Sequence, residues 1–226
     1  MARGIFVTGT DTGVGKTIVA AALLRGLTAA GFRAVGMKPV AAGIDDSETV
    51  PADTRALMAA GNVAAPLADV NPYAFAPPIA PELAARTAGT PIDLDVIIAA
   101  YARLAATADA IVVEGAGGAL VPLGRTSDML DIPARLGLSV LLVVGIRLGC
   151  LNHALLSALA IDARGLDLAG WVANRIDPDM REGDANVEAL VSRLPAPLCA
   201  DIAWRADAAV LTMERPALRA LGFDSP

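Results

Sequence analysis

The chain has 226 residues, 55% of them hydrophobic, and its 24 acidic and 18 basic residues give a formal net charge of −6. A chain of this length and composition folds around its own core, which excludes a disordered or solvating segment. The negative charge argues against unspecific binding to nucleic acid or to an anionic membrane, so any bound phosphate needs a local site.

Two cysteines, Cys150 and Cys199, stand apart in the sequence with no Cys-x-x-Cys pair. This spacing excludes a disulfide framework and a structural zinc site. The apolar residues near the amino terminus are too few for a secretory signal, and the apolar run from Val140 to Ile146 is far below the roughly 18 residues of a membrane span. We therefore expect a cytoplasmic protein with no membrane segment.

Short Val- and Ile-rich segments alternate with longer Ala- and Leu-rich segments of helical spacing, which is typical of a parallel sheet with helices between its strands. We predict strands near residues 4–8, 34–38, 109–113, 138–145, 168–173 and 198–202, and helices near 16–30, 53–60, 93–106, 127–136, 151–163, 183–193 and 206–221. The expected fold is a single α/β domain over residues 1–226, with helices on both faces of a mostly parallel sheet.

Residues 61–91 interrupt this alternation, because the segment contains six prolines. We expect an excursion from the sheet here. Two interpretations stay open at this point: a plain surface loop, or a long loop that faces a substrate.

The segment from Gly9 to Thr17, Gly-Thr-Asp-Thr-Gly-Val-Gly-Lys-Thr, lies between the first predicted strand and the first predicted helix. Such a loop directs backbone N–H groups at phosphate oxygens, and its lysine and hydroxyl serve the terminal phosphates and Mg²⁺. Five residues separate Gly9 from Gly15, where the common pattern has four. The sequence therefore predicts a lengthened phosphate-binding loop, called the phosphate loop below.

Lysine is scarce in this chain, because Lys16 and Lys38 are its only lysines beside 16 arginines. Arginine evidently serves wherever a generic cation suffices, so the two compact ammonium groups indicate a chemical requirement. Lys38 ends the second predicted strand, at the edge where parallel sheets bind ligands. We expect both lysines near a phosphate; for Lys38 a solvated surface position is the alternative.

Two acidic residues are candidates for the same site. Glu114 ends a predicted strand just before Gly115, Ala116 and Gly117, where its carboxylate can reach the Mg²⁺ that Thr17 would bind. The position of Asp53 fits this role and fits an N-cap equally well.

A second strand, turn and helix start spans residues 144–153 and offers backbone N–H groups to another anion. The only histidine, His153, lies there without a visible partner. We interpret it as a capping or interface residue rather than a catalytic one.

Together these motifs resemble those of the dethiobiotin synthetases. The resemblance extends from about residue 4 to 204 and rests on the phosphate loop, Lys38-Pro39-Val40-Ala41, Asn71-Pro72-Tyr73, Val113 to Gly118, Leu148 to Ala154 and Gly170 to Asn174. It implies a P-loop NTPase-like fold and a ligase that makes dethiobiotin from 7,8-diaminononanoate, CO₂ and a nucleoside triphosphate, usually ATP. It further implies Mg²⁺, a carbamate and a carbamic-phosphoric anhydride.

The resemblance also implies a role for each matching residue. Lys38 would be catalytic together with Lys16, and Thr17, Asp53 and Glu114 would surround Mg²⁺. The nucleotide would contact Gly13, Val14, Gly15, Lys16, Thr17, Ile18, Asp53, Glu114, Gly115, Ala116, Gly117, Asn174, Arg175, Asp201, Ile202 and Ala203. The substrate would contact Thr12, Lys38, Ala42 and, across a homodimer interface, the backbone of Gly149, Cys150, Leu151 and Asn152.

Two departures from the family pattern concern the substrate. Ala42 stands where the family commonly has serine, which removes one hydroxyl contact. Ala80-Pro81-Glu82 stands where the family often has Ser-Pro-His. Neither change touches phosphate or metal chemistry.

Two other functions share the predicted fold. A nucleotide-driven switch of the chromosome-partitioning type carries an additional lysine where this chain has Asp11, and its frequent basic DNA-binding surface fits poorly with a net charge of −6. A kinase or a different amide-forming enzyme is the second alternative, since one scaffold supports many functions.

Overall fold

The computed structural model describes residues 2–44 and 49–226. Its elements in chain order are β1 (Arg3–Gly9), α1 (Lys16–Ala29), β2 (Ala34–Met37), β3 (Val40–Ala42), α2 (Ala52–Ala60), α3 (Leu67–Val70), β4 (Tyr73–Phe75), α4 (Pro81–Thr87), α5 (Leu94–Ala105), β5 (Ala110–Glu114), α6 (Asp131–Leu136), β6 (Ser139–Ile146), α7 (Cys150–Ala163), β7 (Leu168–Arg175), α8 (Gly183–Val191), β8 (Leu198–Ile202) and α9 (Arg215–Ala220).

Six strands form one sheet in the order β2-β5-β1-β6-β7-β8, and every neighbouring pair in it is parallel. Each of the six predicted strands is present. The prediction of a mostly parallel α/β sheet is therefore confirmed. β1 and β6 lie at its centre, and an unbroken apolar run such as that of β6 is typical of a strand with helices on both faces.

Helices cover both faces of the sheet. Along β1, Ile5 and Val7 pack on one face with residues of α1, α2 and α9, whereas Phe6 packs on the other face with residues of α4, α5 and α6. Next to them on the second face, α7 and α8 cover β6 and β7. This arrangement leaves the carboxyl edge of the sheet open between the helix layers.

The proline-rich excursion has more structure than we predicted. It contains α3, β4 and α4, and β4 pairs in parallel with β3 to form a second, two-stranded sheet. Strands of three residues carry too little hydrophobic alternation to be recognised in a sequence, and this pairing joins residues 33 positions apart, as in Val40 with Tyr73.

The predicted helix over 206–221 is wrong in its first part, since α9 begins only at Arg215. Backbone groups before it bond elsewhere: the Arg25 guanidinium donates to the carbonyls of Ala208 and Leu211, and the Met213 N–H donates to the Ala22 carbonyl. A tertiary contact with α1 thus replaces the expected helical turns. The predicted helix over 127–136 likewise begins later, at Asp131.

Over residues 2–44 and 49–226, no helix combines the length and the apolar character needed to cross a membrane.

Gly26 in α1 provides a test of the contact between this helix and the segment before α9. A Cβ at Gly26 would lie 2.4 Å from the Met213 carbonyl oxygen, a backbone atom that cannot move away cheaply. We expect Gly26→Ala to lower the free energy of unfolding by about 1–3 kcal/mol through overpacking, although alanine favours a helix interior by about 1 kcal/mol.

The matched control is Gly183→Ala, at the start of α8, where the new Cβ would lie 3.3 Å from the movable Arg175 Nη1. We expect its free energy of unfolding to stay within about 0.5 kcal/mol of the original. Urea denaturation measures both variants. Equal stability of Gly26→Ala and the parent chain would mean that the Met213 segment is not held against α1.

Candidate functional site

The predicted site residues meet at the carboxyl edge of the six-stranded sheet. The phosphate loop follows β1, Lys38 follows β2, and Glu114 is the last residue of β5. Because β5 lies between β2 and β1, these three strand ends are adjacent. Asp53 joins them from the first turn of α2, whose N-cap is Pro51, so the N-cap alternative for Asp53 is wrong.

A cavity of about 730 Å³ opens at this edge. It is lined by Thr12, Gly13, Gly15, Lys16, Thr17, Ile18, Lys38, Ala41, Ala42, Asp53, Pro78, Ile79, Ala80, Pro81, Glu114, Ala116, Gly117 and Val121. Both lysines of the chain and both candidate acids face it together. A second cavity of similar size, about 750 Å³, lies near the opposite edge, but Arg3 is the only charged residue in its lining.

The cavity also contains residues that the sequence did not identify as site residues. Pro78, Ile79, Ala80 and Pro81 reach it from the proline-rich excursion, and Val121 reaches it from the loop after β5. The signals in the sequence were the excursion itself, for which a substrate-facing loop was one of two interpretations, and the departure from the family pattern at Ala80-Pro81-Glu82. The structure places this part of the excursion at the cavity.

The phosphate loop depends on glycines at defined positions. Gly13 and Gly15 have φ angles of 74° and 91°, in the left-handed region that favours glycine. A Cβ at Gly9 would lie 2.6 Å from Val14 Cγ2 and 3.1 Å from Lys16 Cγ, because the loop folds back over this residue. Lys16 begins α1, and its ammonium donates to the Asp11 carbonyl at 2.9 Å.

Lys38 is buried between two carboxylates. Its Nζ lies 2.6 Å from Glu114 Oε1, 3.0 Å from Asp53 Oδ2 and 3.1 Å from the Gly115 carbonyl oxygen, so all three of its hydrogens have acceptors. The side chains of Lys38 and Glu114 are only 3% and 1% exposed. The alternative of a solvated surface lysine is therefore wrong.

The charges shift one another's protonation. Burial acts to lower the pKa of Lys38, but attraction and hydrogen bonds from Glu114 and Asp53 outweigh it and raise that pKa. Burial acts to raise the pKa of Asp53, and Lys38 reverses the effect and lowers it. Burial, and then the neighbouring Lys38, lower the pKa of Lys16 to about 8. A bound phosphate would reverse the shift at Lys16, because an anion favours the charged ammonium.

Oxygen atoms of the same cluster fit a hard cation. The Thr17 hydroxyl has one hydrogen, yet its oxygen lies 2.9 Å from Asp53 Oδ1 and 2.8 Å from Glu114 Oε1. Glu114 Oε2 is buried and has no hydrogen-bond partner in the described part of the chain. Two carboxylates and a hydroxyl are oxygen donors of the kind that Mg²⁺ prefers.

The protein does not form a complete metal cage by itself. Within residues 2–44 and 49–226, no group of three or more His, Cys, Asp or Glu side chains is arranged to hold a metal ion. Mg²⁺ is commonly bound by one or two carboxylates together with the phosphates of a substrate. The donor set therefore fits a metal ion that is shared with a bound triphosphate.

Asn174, at the end of β7, contacts the phosphate loop directly. Its side chain is buried, and Nδ2 donates to the Val14 carbonyl at 2.8 Å. This hydrogen bond orients the amide and leaves Oδ1 as its acceptor. A Cβ at Gly15 would lie only 2.1 Å from Asn174 Nδ2, so glycine is required at that position for packing as well as for its φ angle.

Arg175 is close to the other residues predicted around the base, but its side chain is already engaged. Its guanidinium pairs with Asp201 at 2.9 and 2.7 Å and with Asp184 at 2.6 Å, and these hydrogen bonds raise its pKa. Asp201 and Ile202 belong to β8, and Ala203 follows directly. Arg175 therefore joins β8 to the start of α8.

The segment Gly149 to Asn152 lies outside the lining of this cavity. Gly149 is the N-cap of α7, with a φ of 94°, and Cys150 is buried. His153 is exposed and is not the cap, so the capping interpretation of this residue is wrong. The segment predicted to bind a second anion is thus at the surface, outside the cavity.

The fold and the site show first to which class the protein belongs. It is a nucleotide-binding α/β protein with a phosphate loop. Residues 3–210 match the family described as an AAA domain. The septum site-determining protein MinD of Pyrococcus horikoshii, solved with Mg-ADP, superposes with a TM-score of 0.52 over 89% of this chain and 81% of that one. The two sequences are 20% identical, so the likeness concerns the fold alone.

Relatives with much higher identity narrow this class. The ATP-dependent dethiobiotin synthetase of Nitrosospira multiformis is 54% identical over 198 residues, which cover 88% of this chain and 87% of the relative. The enzyme of the same name from Aromatoleum aromaticum is 51% identical over 87% of this chain and 88% of its own length. The chain therefore belongs to the dethiobiotin synthetase family, a family of ATP-dependent ligases.

A glycine of the phosphate loop and a distant glycine, both with positive φ, allow a matched comparison. We expect Gly15→Ala to displace Asn174 and weaken nucleotide binding at least tenfold, because its Cβ meets the Asn174 amide. Gly137→Ala, at the C-cap of α6 and outside the cavity lining, also places alanine at positive φ, but its Cβ meets no atom within 4 Å. Its nucleotide Kd should stay within about threefold of the parent, and its stability should fall by about 1 kcal/mol. Titration calorimetry with Mg-ATP gives both Kd values; equal Kd values for the two variants would contradict the assigned contact.

Proposed function

We propose that this chain converts 7,8-diaminononanoate, CO₂ and ATP into dethiobiotin, ADP and phosphate. The observation that carries the proposal is the charge cluster of Lys16, Lys38, Asp53 and Glu114 around one cavity, in a chain that is about 50% identical to dethiobiotin synthetases. The cluster has the cations for a triphosphate and the oxygen donors for its metal ion.

ATP is the proposed nucleotide. The phosphate loop would receive the triphosphate on its backbone N–H groups, with the Lys16 ammonium beside the terminal phosphates. Asn174 Oδ1, oriented by the bond from Nδ2 to Val14, is an acceptor for an amino group such as that of adenine. Gly115, Arg175, Asp201, Ile202 and Ala203 would complete the nucleotide site by backbone or packing contacts.

Thr17, Asp53 and Glu114 would hold Mg²⁺. A bound Mg²⁺ would supply positive charge that offsets the negative charge of the phosphates. The short contacts of Thr17 with two carboxylates and the unpartnered Glu114 Oε2 support this assignment.

The cavity also fits the diamine. Ala41, Ala42, Ile79 and Val121 give its wall an apolar character that suits a hydrocarbon chain. Thr12 and Lys38 line the same cavity and would lie near the reacting nitrogen atoms. The methyl group of Ala42 adds to the apolar wall in place of a hydroxyl contact.

The proposed reaction needs no nucleophile from the protein. One amine adds to CO₂ and loses a proton to give a carbamate, whose oxygen attacks the γ-phosphorus as the bond to the β-phosphate oxygen breaks. The second amine attacks the carbonyl carbon of the resulting anhydride, and the ring closes with loss of phosphate. Lys16 and Lys38 stabilise the charge on the transferring group.

Lys38 has to change partners to take part. Its three hydrogens are engaged by Glu114, Asp53 and the Gly115 carbonyl. Of its two contacts with carboxylates, the one with Asp53 is longer, at 3.0 Å, and the Asp53 side chain is the more exposed, at 45%. We propose that Lys38 turns from Asp53 toward the γ-phosphate when the nucleotide and its metal ion bind.

A homodimer is also part of the proposal. Leu148, Leu156 and Leu159 are 91%, 57% and 64% exposed in and just before α7, and a second copy of the chain would cover such an apolar surface. Backbone N–H groups of the segment Gly149 to Asn152 would then bind the substrate carboxylate across the interface, except that of Cys150, which donates to the Arg147 carbonyl. A cytoplasmic location stays a prediction from the sequence.

Phosphate release tests the function directly. Purified protein is incubated with Mg-ATP alone, with bicarbonate, with 7,8-diaminononanoate, with both, and with bicarbonate together with another amine or an acid. We expect rapid phosphate release only when both are present. Release without the diamine would favour a nucleotide-driven switch, and release with another amine or acid would favour a different ligase or kinase of the same fold.

The lysines should differ in their roles. Lys38→Arg keeps the charge but replaces a compact ammonium by a planar fork. We expect turnover to fall about 100-fold because both reactants are displaced by about 1 Å, while the Kd for Mg-ATP changes less than about threefold. Lys16→Arg serves as the comparison and should weaken nucleotide binding at least tenfold. Nearly full turnover in Lys38→Arg, or an equal loss of affinity in both variants, would remove Lys38 from the transferring phosphate.

The metal assignment has its own test. Asp53→Asn and Glu114→Gln each remove a carboxylate charge at the cluster, so we expect several-fold more Mg²⁺ to be needed for half-maximal ATP binding. Asp95→Asn is the control, because Asp95 is 74% exposed and pairs with Arg135 away from the cavity. A magnesium titration followed by calorimetry compares the three variants. If both cluster variants matched the Asp95 control, these carboxylates would not be metal ligands.

A further inference from the structure

Asp11 places a carboxylate in the loop that would bind a polyanion. Its Oδ2 atom lies 2.6 Å from Nη2 of Arg147. An unpaired carboxylate beside bound phosphates would oppose their binding, since like charges a few ångströms apart near a protein surface repel by several kcal/mol. The charge of Arg147 offsets that of Asp11.

The remaining oxygens of Asp11 organise the loop. Oδ1 accepts the backbone N–H of Thr12 at 2.7 Å, and the carbonyl oxygen accepts the ammonium of Lys16 at 2.9 Å. One residue thus fixes the loop backbone and the lysine that would contact the phosphates. The direction of the Asp11 side chain depends on its partner, Arg147.

Arg147 follows directly after β6, which ends at Ile146. The carbonyl oxygen of Arg147 accepts the N–H of Cys150, the first residue of α7, at 3.0 Å. The ion pair therefore connects the phosphate loop to a rigid part of the sheet. The two side chains are 41% and 47% exposed, and pairs this exposed contribute about 1 kcal/mol or less to stability. Stability alone does not account for a pair at this position.

We propose that Arg147 is a positioning residue for nucleotide binding, which acts by neutralising Asp11 and holding its side chain in the conformation that orders the phosphate loop. This inference rests on the proposed function, because it requires the loop to bind a triphosphate. Arg147 acts through Asp11 and does not need to touch the nucleotide.

The experiment is a double-mutant cycle with Mg-ATP as the probe and titration calorimetry as the readout. Arg147→Gln, Asp11→Asn and the double variant are compared with the parent chain. We expect Arg147→Gln to raise the Kd about tenfold, a loss of about 1.4 kcal/mol of binding free energy. In the Asp11→Asn background the same substitution should change the Kd less than twofold, because no carboxylate remains to be neutralised.

Two controls separate this role from a general effect of charge or structure. Arg135→Gln removes a surface arginine that pairs with Asp95 at the same distance of 2.6 Å and whose side chain is 46% exposed. This variant should leave the Kd unchanged. Arg147→Lys keeps the charge and should recover most of the affinity. The free energy of unfolding should change by less than about 1 kcal/mol in every variant.

Three results would overturn the inference. An unchanged Kd in Arg147→Gln would make the ion pair a surface contact only. An equal loss in the Asp11→Asn background would mean that Arg147 acts on the nucleotide directly or through the fold. If the parent chain did not bind Mg-ATP, the proposed function itself would be overturned. If the parent bound Mg-ATP and Arg147→Gln had the same Kd, only this inference would be overturned.

Discussion

The burial of opposite charges at one edge of the sheet is the constraint on which the rest of the site depends. Lys38 and Glu114 are almost completely inaccessible to water, and isolated buried charges are too costly to persist, so each requires the other. Parallel pairing of β2 with β5 brings them together at their strand ends. Asp53 and Thr17, from two different helices, complete the cluster. With Lys16, which faces the same cavity, the two lysines balance the two carboxylates, so the chain closes α1 and α2 around a group of charges that is balanced internally.

This balance accounts for the properties of the site. The Lys38 ammonium lies between the carboxylates and saturates its hydrogen bonds there. A triphosphate and its metal ion bring charges of both signs, so the cluster can exchange partners without leaving a charge unpaired. A compact ammonium fits between Glu114 and Asp53, and a guanidinium would need a wider, planar space. This explains why a chain with 16 arginines has lysine at this position.

Local patterns predicted most of the site, and long-range contacts account for what they did not predict. The glycines and Lys16 lie within one short segment, and Glu114 is marked by its strand end, so spacing alone identified them. The sequence did not decide between the two roles of Asp53, because its role depends on the contact with Thr17, 36 residues away. The β3–β4 pair and the late start of α9 depend equally on distant partners, namely Tyr73 opposite Val40 and the Arg25 side chain that binds the segment before α9. The contribution of Pro78 and Ile79 to the cavity had no local signal beyond the prolines, and Ala80 and Pro81 were marked only by the departure from the family pattern.

The central claim is that this charge cluster holds the metal ion of a bound triphosphate. Anomalous diffraction from crystals grown with Mn²⁺ and a non-hydrolysable ATP analogue tests it most directly, because manganese replaces magnesium at oxygen sites and can be located without a model of the ligand. We predict one strong anomalous peak within about 2.5 Å of Thr17 Oγ1 and of an Asp53 or Glu114 oxygen, with density for the triphosphate along the phosphate loop. A peak away from all three residues, with the triphosphate bound, would contradict the account.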